Sequence, residues 1–361
     1  MKPRRDAVRA QLDRLGVEGV LVTKPVNVRY LTGFSGSNGQ LLVGDADAFL
    51  TDPRYEEQSA RECPDVERMI YSTSAKTIGE AAGMHAALGT LVERLGIQRL
   101  GVEAGHMTLA AAHAIREKLP VLTLVETNEV VETLRRVKDE GEISSIGRAC
   151  AYADQALGEL LGALRDGMTE VECAAVLEDA MRRSGSEGAS FPTIVAFGEQ
   201  AAEPHHQPGR RALRAGDLIK LDFGAICDGY CSDMTRTIAF GTPSEEMTEV
   251  YRLVAGAQQA GVEAVRAGVT CGDVDAAARG YLREKGYEFG HGTGHGLGLE
   301  VHEAPPVRAG AQQVLEPGMV ITVEPGIYLP GIGGVRIEDS VVVREGGCDI
   351  LTGSTKELVT V

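Results

Sequence analysis

Apolar residues recur at two spacings along the chain, and the change between them marks the elements. Between residues 4 and 15, Val8, Leu12 and Leu15 fall on one helical face. A short apolar run at 20–23 predicts a strand, and a glycine-rich stretch, TGFSGSNG, follows at 32–39. Strand-like runs at 40–43 and 48–51 precede helical patterns at 55–62, 76–95 and 108–118, with short strands between them. This alternation predicts a mixed or parallel sheet with helices packed on it. The polar segment LRRVKDEGEI, 134–143, reads as a junction. It divides the chain into a smaller α/β unit, 1–134, and a larger α+β unit, 135–361.

The second unit opens with a long amphipathic pattern over 140–164. There Ile143, Ile146, Cys150, Ala153, Leu157, Leu160 and Leu164 share a face. Thr169 and Glu172 have the spacing of a capping box, which starts a further helix that stops at Gly185. Helices are predicted at 244–266 and 271–285, and strand pairs at 217–240 and 319–343. Neither a low-complexity segment nor a short tandem repeat is visible.

Charge separates the two units further. The 361 residues carry 36 Lys and Arg against 52 Asp and Glu, a net charge of −16. Residues 1–137 hold 17 basic and 18 acidic side chains, so almost the whole excess lies beyond them. Such acidity excludes a general nucleic-acid binder, which needs a basic surface for phosphate. The longest apolar runs fall short of the ~18 residues that span a bilayer, so no membrane partner is expected. The charged N-terminus lacks a secretory apolar core. Seven scattered cysteines read as free thiols in a reducing cytoplasm.

Within the acidic unit, two hairpins carry acids inside apolar strands. LIKLDFG at 218–224 and YCSDMTRTIA at 230–239 flank the turn-forming Asp228–Gly229 step. A turn centred near 227–228 sets Asp222 directly opposite Asp233, with Cβ atoms ~5 Å apart. VITVEPG at 320–326 and VRIEDSVVV at 335–343 flank a loop, LPGIGG, at 329–334. A turn centred near 331 sets Glu324 opposite Glu338, and alternation places Arg336 on the Glu338 face. Bare carboxylates at that distance repel, and a cation between them removes the repulsion. Between the hairpins lies HGTGHGLGLEVHE, 291–303, whose glycines allow close approach or positive φ. Four carboxylates and an imidazole make a mostly hard ligand set. It suits two divalent ions, Mn²⁺ first, with Zn²⁺, Co²⁺ or Fe²⁺ also compatible. The dinucleotide fingerprint, the P-loop, G-x-S-x-G and H-E-x-x-H are all absent.

With the 291–303 segment and the order Asp222, Asp233, His295, Glu324, Glu338, the chain resembles the pita-bread metallopeptidases. Within them it resembles the Xaa-Pro aminopeptidase and Xaa-Pro dipeptidase (prolidase) branch. The first unit resembles the creatinase-type N-terminal domain, so the likeness covers the whole chain. The resemblance implies that Asp222 binds one metal, His295 and Glu324 the other, and that Asp233 and Glu338 bridge both. It implies that Glu324 takes the proton of a metal-bridging water, leaving hydroxide to attack, and delivers it to the leaving imino nitrogen, that His205 and His302 stabilise the oxyanion, and that His291 and Arg336 bind substrate. His206 and Tyr230 are left outside this set. The expected activity is removal of an N-terminal residue ahead of proline from peptides, in the manner of aminopeptidase P. The alternatives are a prolidase restricted to dipeptides and, more remotely, a non-catalytic binding module on the same fold. A homodimer is expected from the likeness.

Overall fold

The computed structural model describes residues 1–72 and 83–361, and the chain divides into two units, Met1–Arg135 and Arg136–Val361. The first unit is built on six strands: β1 (Gly19–Val22), β2 (Gln40–Val43), β3 (Ala48–Thr51), β4 (Glu67–Ile70), β5 (Arg99–Glu103) and β6 (Thr123–Thr127). They form one mixed sheet in the order β4-β3-β2-β1-β5-β6. The β1–β2 and β2–β3 pairs are antiparallel, and β3–β4, β1–β5 and β5–β6 are parallel. Helices α1 (Lys2–Arg9), α2 (Leu12–Leu15), α3 (Pro25–Thr32), α4 (Glu56–Glu62), α5 (Met84–Arg94), α6 (Leu109–Lys118) and α7 (Val130–Arg135) accompany it. Leu88 and Leu91 of α5 pack with Leu21, Leu42 and Leu50 of the strands, all fully buried. The single helix expected over 4–15 is broken at Ala10–Gln11, and Val8 and Leu12 are buried on either side of the break. The helical pattern at 76–95 is met by α5, and residues 76–82 lie outside the described residues.

In the second unit a helix pair followed by a hairpin occurs twice in chain order. The first pair is α8 (Glu140–Ala163) and α9 (Glu170–Arg183), each opened by a capping box, Asp139 with Glu142 and Thr169 with Glu172. After them come β7 (Ile194–Phe197), β8 (Leu218–Phe223), β9 (Ile226–Cys227), β10 (Tyr230–Cys231) and β11 (Met234–Ala239). The second pair is α10 (Glu245–Ala264) and α11 (Cys271–Arg283). Strands β12 (Gly294–Gly296), β13 (Glu303–Val307), β14 (Val320–Val323), β15 (Gly326–Leu329), β16 (Gly333–Arg336), β17 (Asp339–Arg344) and β18 (Gly347–Ile350) follow. Leu157, Leu160, Leu177 and Met181 back the sheet β11-β8-β7 through Ile219, Leu221 and Ile238. Val274 of α11 packs with Ile321, Val323 and Val341 of the sheet β13-β12-β14-β17-β18. Helices thus cover one side of each hairpin, which leaves the other side for chemistry.

The two hairpins differ from their expected form in instructive ways. Asp228 (φ 51°) and Gly229 (φ 80°) occupy the two central turn positions, as the tightest hairpin turns require. The turn is therefore centred one position later than expected, and β8 pairs Asp222 with Thr235 and Phe223 with Met234. Asp233 is not opposite Asp222: it shares the face of Thr235 and is a diagonal neighbour. The return strand is also split into β10 and β11 around Ser232–Asp233. In the second hairpin the expected loop 329–334 contracts, because Leu329 pairs with Gly333. The registers Val323↔Asp339 and Gly326↔Arg336 bracket Glu324 and Glu338 and set them opposite each other, as expected.

Candidate metal centre

Three chain segments meet at the acids. At Glu324 and Glu338 the second hairpin leaves its own ladder. The Glu324 amide donates to Thr293 O (2.7 Å) and the Glu338 amide to Thr235 O (3.1 Å). These bonds stitch the hairpin to the histidine loop on one side and to β11 on the other. The histidine loop is held from α11: Asp275 accepts from the Thr293 hydroxyl (2.8 Å), and Arg279 donates to Phe289 O (2.7 Å) and His291 O (2.8 Å). The glycines at 290, 292, 294, 296 and 298 are absent from the positive-φ residues, and at the last four of them the use of glycine is close approach. A Cβ on Gly294 would stand 1.9 Å from Thr322 O, and one on Gly296 2.2 Å from Ala304 O. It is the neighbouring strands that demand glycine there.

The result gathers Asp233, His295 and Glu338, which offer ligand atoms all within 4.8 Å of one another, the group of this kind found among the described residues. His295 Nε2 lies 3.5 Å from Asp233 Oδ2 and 3.4 Å from Glu324 Oε1. Its Nδ1 is 3.1 Å from Gly296 O, which fixes that nitrogen as the N–H donor and leaves the Nε2 lone pair facing two carboxylates. Burial, helped by His302 nearby, lowers the His295 pKa to about 4, so its imidazole is neutral. Asp233 Oδ1 and Glu338 Oε1 are buried without a hydrogen-bond partner. Burial, then neighbouring carboxylates, raises both acids well above their ordinary range. Burial raises Glu324 to about 7. A neutral imidazole and orphaned carboxylate oxygens converging on one point fit a divalent cation.

Asp222 is engaged differently. Its Oδ2 accepts from Arg336 Nη2, within a guanidinium that also donates to Thr235 Oγ1 (3.0 Å), Tyr328 OH (3.1 Å) and Pro204 O (3.2 Å). Thr235 passes its own proton to Glu338 Oε2 (2.7 Å), so Arg336 reaches a second acid through one hydroxyl. Tyr328 OH lies 3.0 Å from His291 Nε2, and His291 Nδ1 2.7 Å from Gly292 O. Tyr328 was not singled out by the sequence, although alternation along β15 puts it on the Arg336 face.

A cavity of about 720 Å³ opens over this cluster. Its lining contains all nine expected site residues: His205, Asp222, Asp233, His291, His295, His302, Glu324, Arg336 and Glu338. Phe191, Pro192, Ile194 and Pro208 form an apolar wall. The exposed His302 ring stands edge-on to His295, with centroids 4.3 Å apart. His206 also borders the cavity, but its ring nitrogens are taken by Glu170 (3.0 Å) and Glu203 (2.8 Å). Tyr230 points to Glu142 (2.5 Å) instead. All seven cysteines are free.

Comparison with known proteins places this geometry in context. Residues 144–345 match the model of metallopeptidase family M24, and residues 4–137 match the creatinase/prolidase N-terminal domain. A Xaa-Pro dipeptidase of Pyrococcus furiosus is 37% identical over 99% of this chain and 100% of its own. A solved Xaa-Pro dipeptidase from Bacillus anthracis superposes with TM-score 0.95 at 40% identity, covering 100% of this chain and 99% of its own. An X-Pro aminopeptidase from Thermotoga maritima gives TM-score 0.89 at 37% identity, covering 97% and 100%.

Proposed function

The chain belongs to metallopeptidase family M24, with a creatinase-type N-terminal domain ahead of a pita-bread catalytic domain, and from that premise we propose that it is a Xaa-Pro dipeptidase. The chain is a metal-dependent hydrolase by family, and the finer reading concerns the length of its substrate. The aminopeptidase P type of activity expected from the sequence yields here to its alternative. Dipeptidases of known name match the chain from end to end, at up to 40% identity among those compared. The observation that carries the peptidase reading is the convergence of Asp233, His295 and Glu338 at the base of the cavity, with two carboxylate oxygens left unpartnered.

In this reading Asp222, Asp233, His295, Glu324 and Glu338 hold two divalent cations, Mn²⁺ first. Such cations acidify water and polarise a carbonyl. Glu324 takes the proton of the attacking water and returns it to the leaving imino nitrogen. His302, exposed beside His295, and His205 at the rim donate hydrogen bonds to the developing oxyanion. His291, neutral because burial lowers it to about 4, shapes the proline side together with Arg336. An Xaa-Pro bond carries no N–H at the scissile position, so recognition rests on the shape of the ring. The apolar wall at Phe191 and Ile194 offers that shape. The enzyme acts as a homodimer in the cytoplasm, a location supported by seven free thiols. No helix among the described residues is long and apolar enough to cross a membrane.

The test is a substrate series with the Mn²⁺-loaded protein: Ala-Pro, Ala-Pro-Ala and Ala-Ala-Ala. Turnover of Ala-Pro alone is expected. Efficient cleavage of Ala-Pro-Ala restores the aminopeptidase reading, and no turnover with any divalent metal defeats both.

A further inference from the structure

Lys220 lies in the middle of β8, on the same face as Asp222, and is fully buried. Lysine is almost never buried without a partner, because its ammonium loses water. Among the described residues no carboxylate lies within ion-pair distance of it. Its Nζ instead donates to three main-chain carbonyls: Ala201 O (3.1 Å), Glu203 O and Pro204 O (3.4 Å). A lysine amine offers up to three N–H donors, so one side chain reaches three acceptors of one short segment. The ring of Tyr328 lies 5.4 Å from the same Nζ. Two further features hold the segment there. Arg336 Nη1 donates to Pro204 O (3.2 Å). Gly334 leaves room for it, since a Cβ there would stand 2.1 Å from Ala201 O. The segment ends at His205, which lines the cavity and is exposed.

We propose that Lys220 is a positioning residue: by clamping the 201–204 main chain to β8 it sets His205 and Pro204 as one wall of the substrate cavity. It touches neither substrate nor the reacting atoms. It acts through the wall, and so governs how well the dipeptide is held rather than how fast the held dipeptide is cleaved. The kinetic half of this inference rests on the dipeptidase reading, and the structural half does not.

The test uses the full chain loaded with Mn²⁺ and the variant Lys220→Met, with Gly334→Ala as a second route that keeps the lysine but displaces Ala201 O. Hydrogen–deuterium exchange of amides 198–208 reads the clamp without reference to activity. Exchange in that window is expected to rise about tenfold in both variants. KM for Ala-Pro is expected to rise about tenfold, the scale of one lost charged hydrogen bond, with kcat nearly unchanged and Mn²⁺ stoichiometry retained. Unchanged exchange in a folded variant overturns the proposal. So does a collapse of kcat that follows loss of Mn²⁺, which would make Lys220 a support of Asp222. If the parent protein hydrolyses no proline dipeptide, the dipeptidase reading fails and the exchange result alone decides the role of Lys220.

Discussion

Replacing Arg336 with methionine removes the cation that, among the described residues, meets Asp222 directly. Asp222 is 8% exposed and Arg336 2%, so little water reaches the pair. Breaking a buried pair from one side costs about 3–5 kcal/mol, because the other charge is left behind. The protein has an escape, which is to protonate the carboxylate. For an ordinary aspartic acid, with a pKa of about 3.9, holding a proton at pH 7 costs about 4 kcal/mol, and at pH 5 about 1.5 kcal/mol. The electrostatic part of the loss is therefore capped at about 4 kcal/mol at neutral pH and falls as the pH is lowered. In a unit of this length each kcal/mol moves the melting temperature by about 2–4 °C. Differential scanning calorimetry in EDTA is expected to show a drop of about 8–16 °C at pH 7 and about 3–6 °C at pH 5. Saturating Mn²⁺ should shrink the pH 7 difference, since a cation held by Asp222 meets the same charge. A drop that is equal at both pH values and unaffected by Mn²⁺ refutes the electrostatic account. It would assign the loss to the bonds with Thr235, Tyr328 and Pro204 instead. Lysine should rescue poorly, because a point charge cannot make the four contacts of the fork.

Two further outcomes follow from the same arrangement of charges and turns. Burial raises Glu324 to about 7 and Asp233 and Glu338 well above the carboxyl range, so the folded metal-free protein favours their protonated forms. Their contribution to stability is complete below about pH 4; it is lost as the pH rises through 7 and beyond. Melting temperature in EDTA should therefore fall between pH 5 and pH 8, while affinity for Mn²⁺ rises as protons are displaced. A steady rise in EDTA over that range contradicts the assignment. Separately, Gly229→Val should cost at least about 1–2 kcal/mol, because a branched residue at φ 80° is strained, whereas Gly229→Asn should be nearly neutral. Equal melting temperatures for the two variants would place the turn elsewhere.

Much of this was legible in the linear pattern, and the exceptions have physical causes. Strands at 40–43 and 48–51 and the capping box at Thr169 were readable because each depends on neighbours in sequence. The second hairpin was readable because the glycine-rich LPGIGG segment centres its turn near 331, and that centre sets the register of Glu324 against Glu338. The first was misread by one position at its turn. Only the left-handed conformations of Asp228 and Gly229, both central, decide which residue faces Asp222. Tyr328, Asp275 and Lys220 went unnoticed for a different reason. The carbonyls that Lys220 bonds lie 16–19 residues away, the Thr293 that Asp275 holds lies 18 away, and the His291 beside Tyr328 lies 37 residues upstream, and no local rule joins these pairs. The glycines of the histidine loop were visible, yet their purpose was not. Gly294 and Gly296 yield to Thr322 O and Ala304 O, atoms of strands that arrive from later in the chain.

That last point bears on how the acids are kept in place. Four carboxylates close together are a cost in the metal-free protein, and side-chain packing alone would let them splay. Here the residues that carry two of them, Glu324 and Glu338, also make the main-chain bonds that join the histidine loop and β11 to the second hairpin. Moving the main chain that carries either acid away from the cluster means breaking a hydrogen bond between segments. Repulsion is therefore relieved by protonation rather than by movement, which is the direction seen for Asp233, Glu324 and Glu338. Proton uptake of this kind is reversible and leaves the geometry intact. With the proposed ligand set, such a site is expected to exchange protons for cations without first having to fold around them.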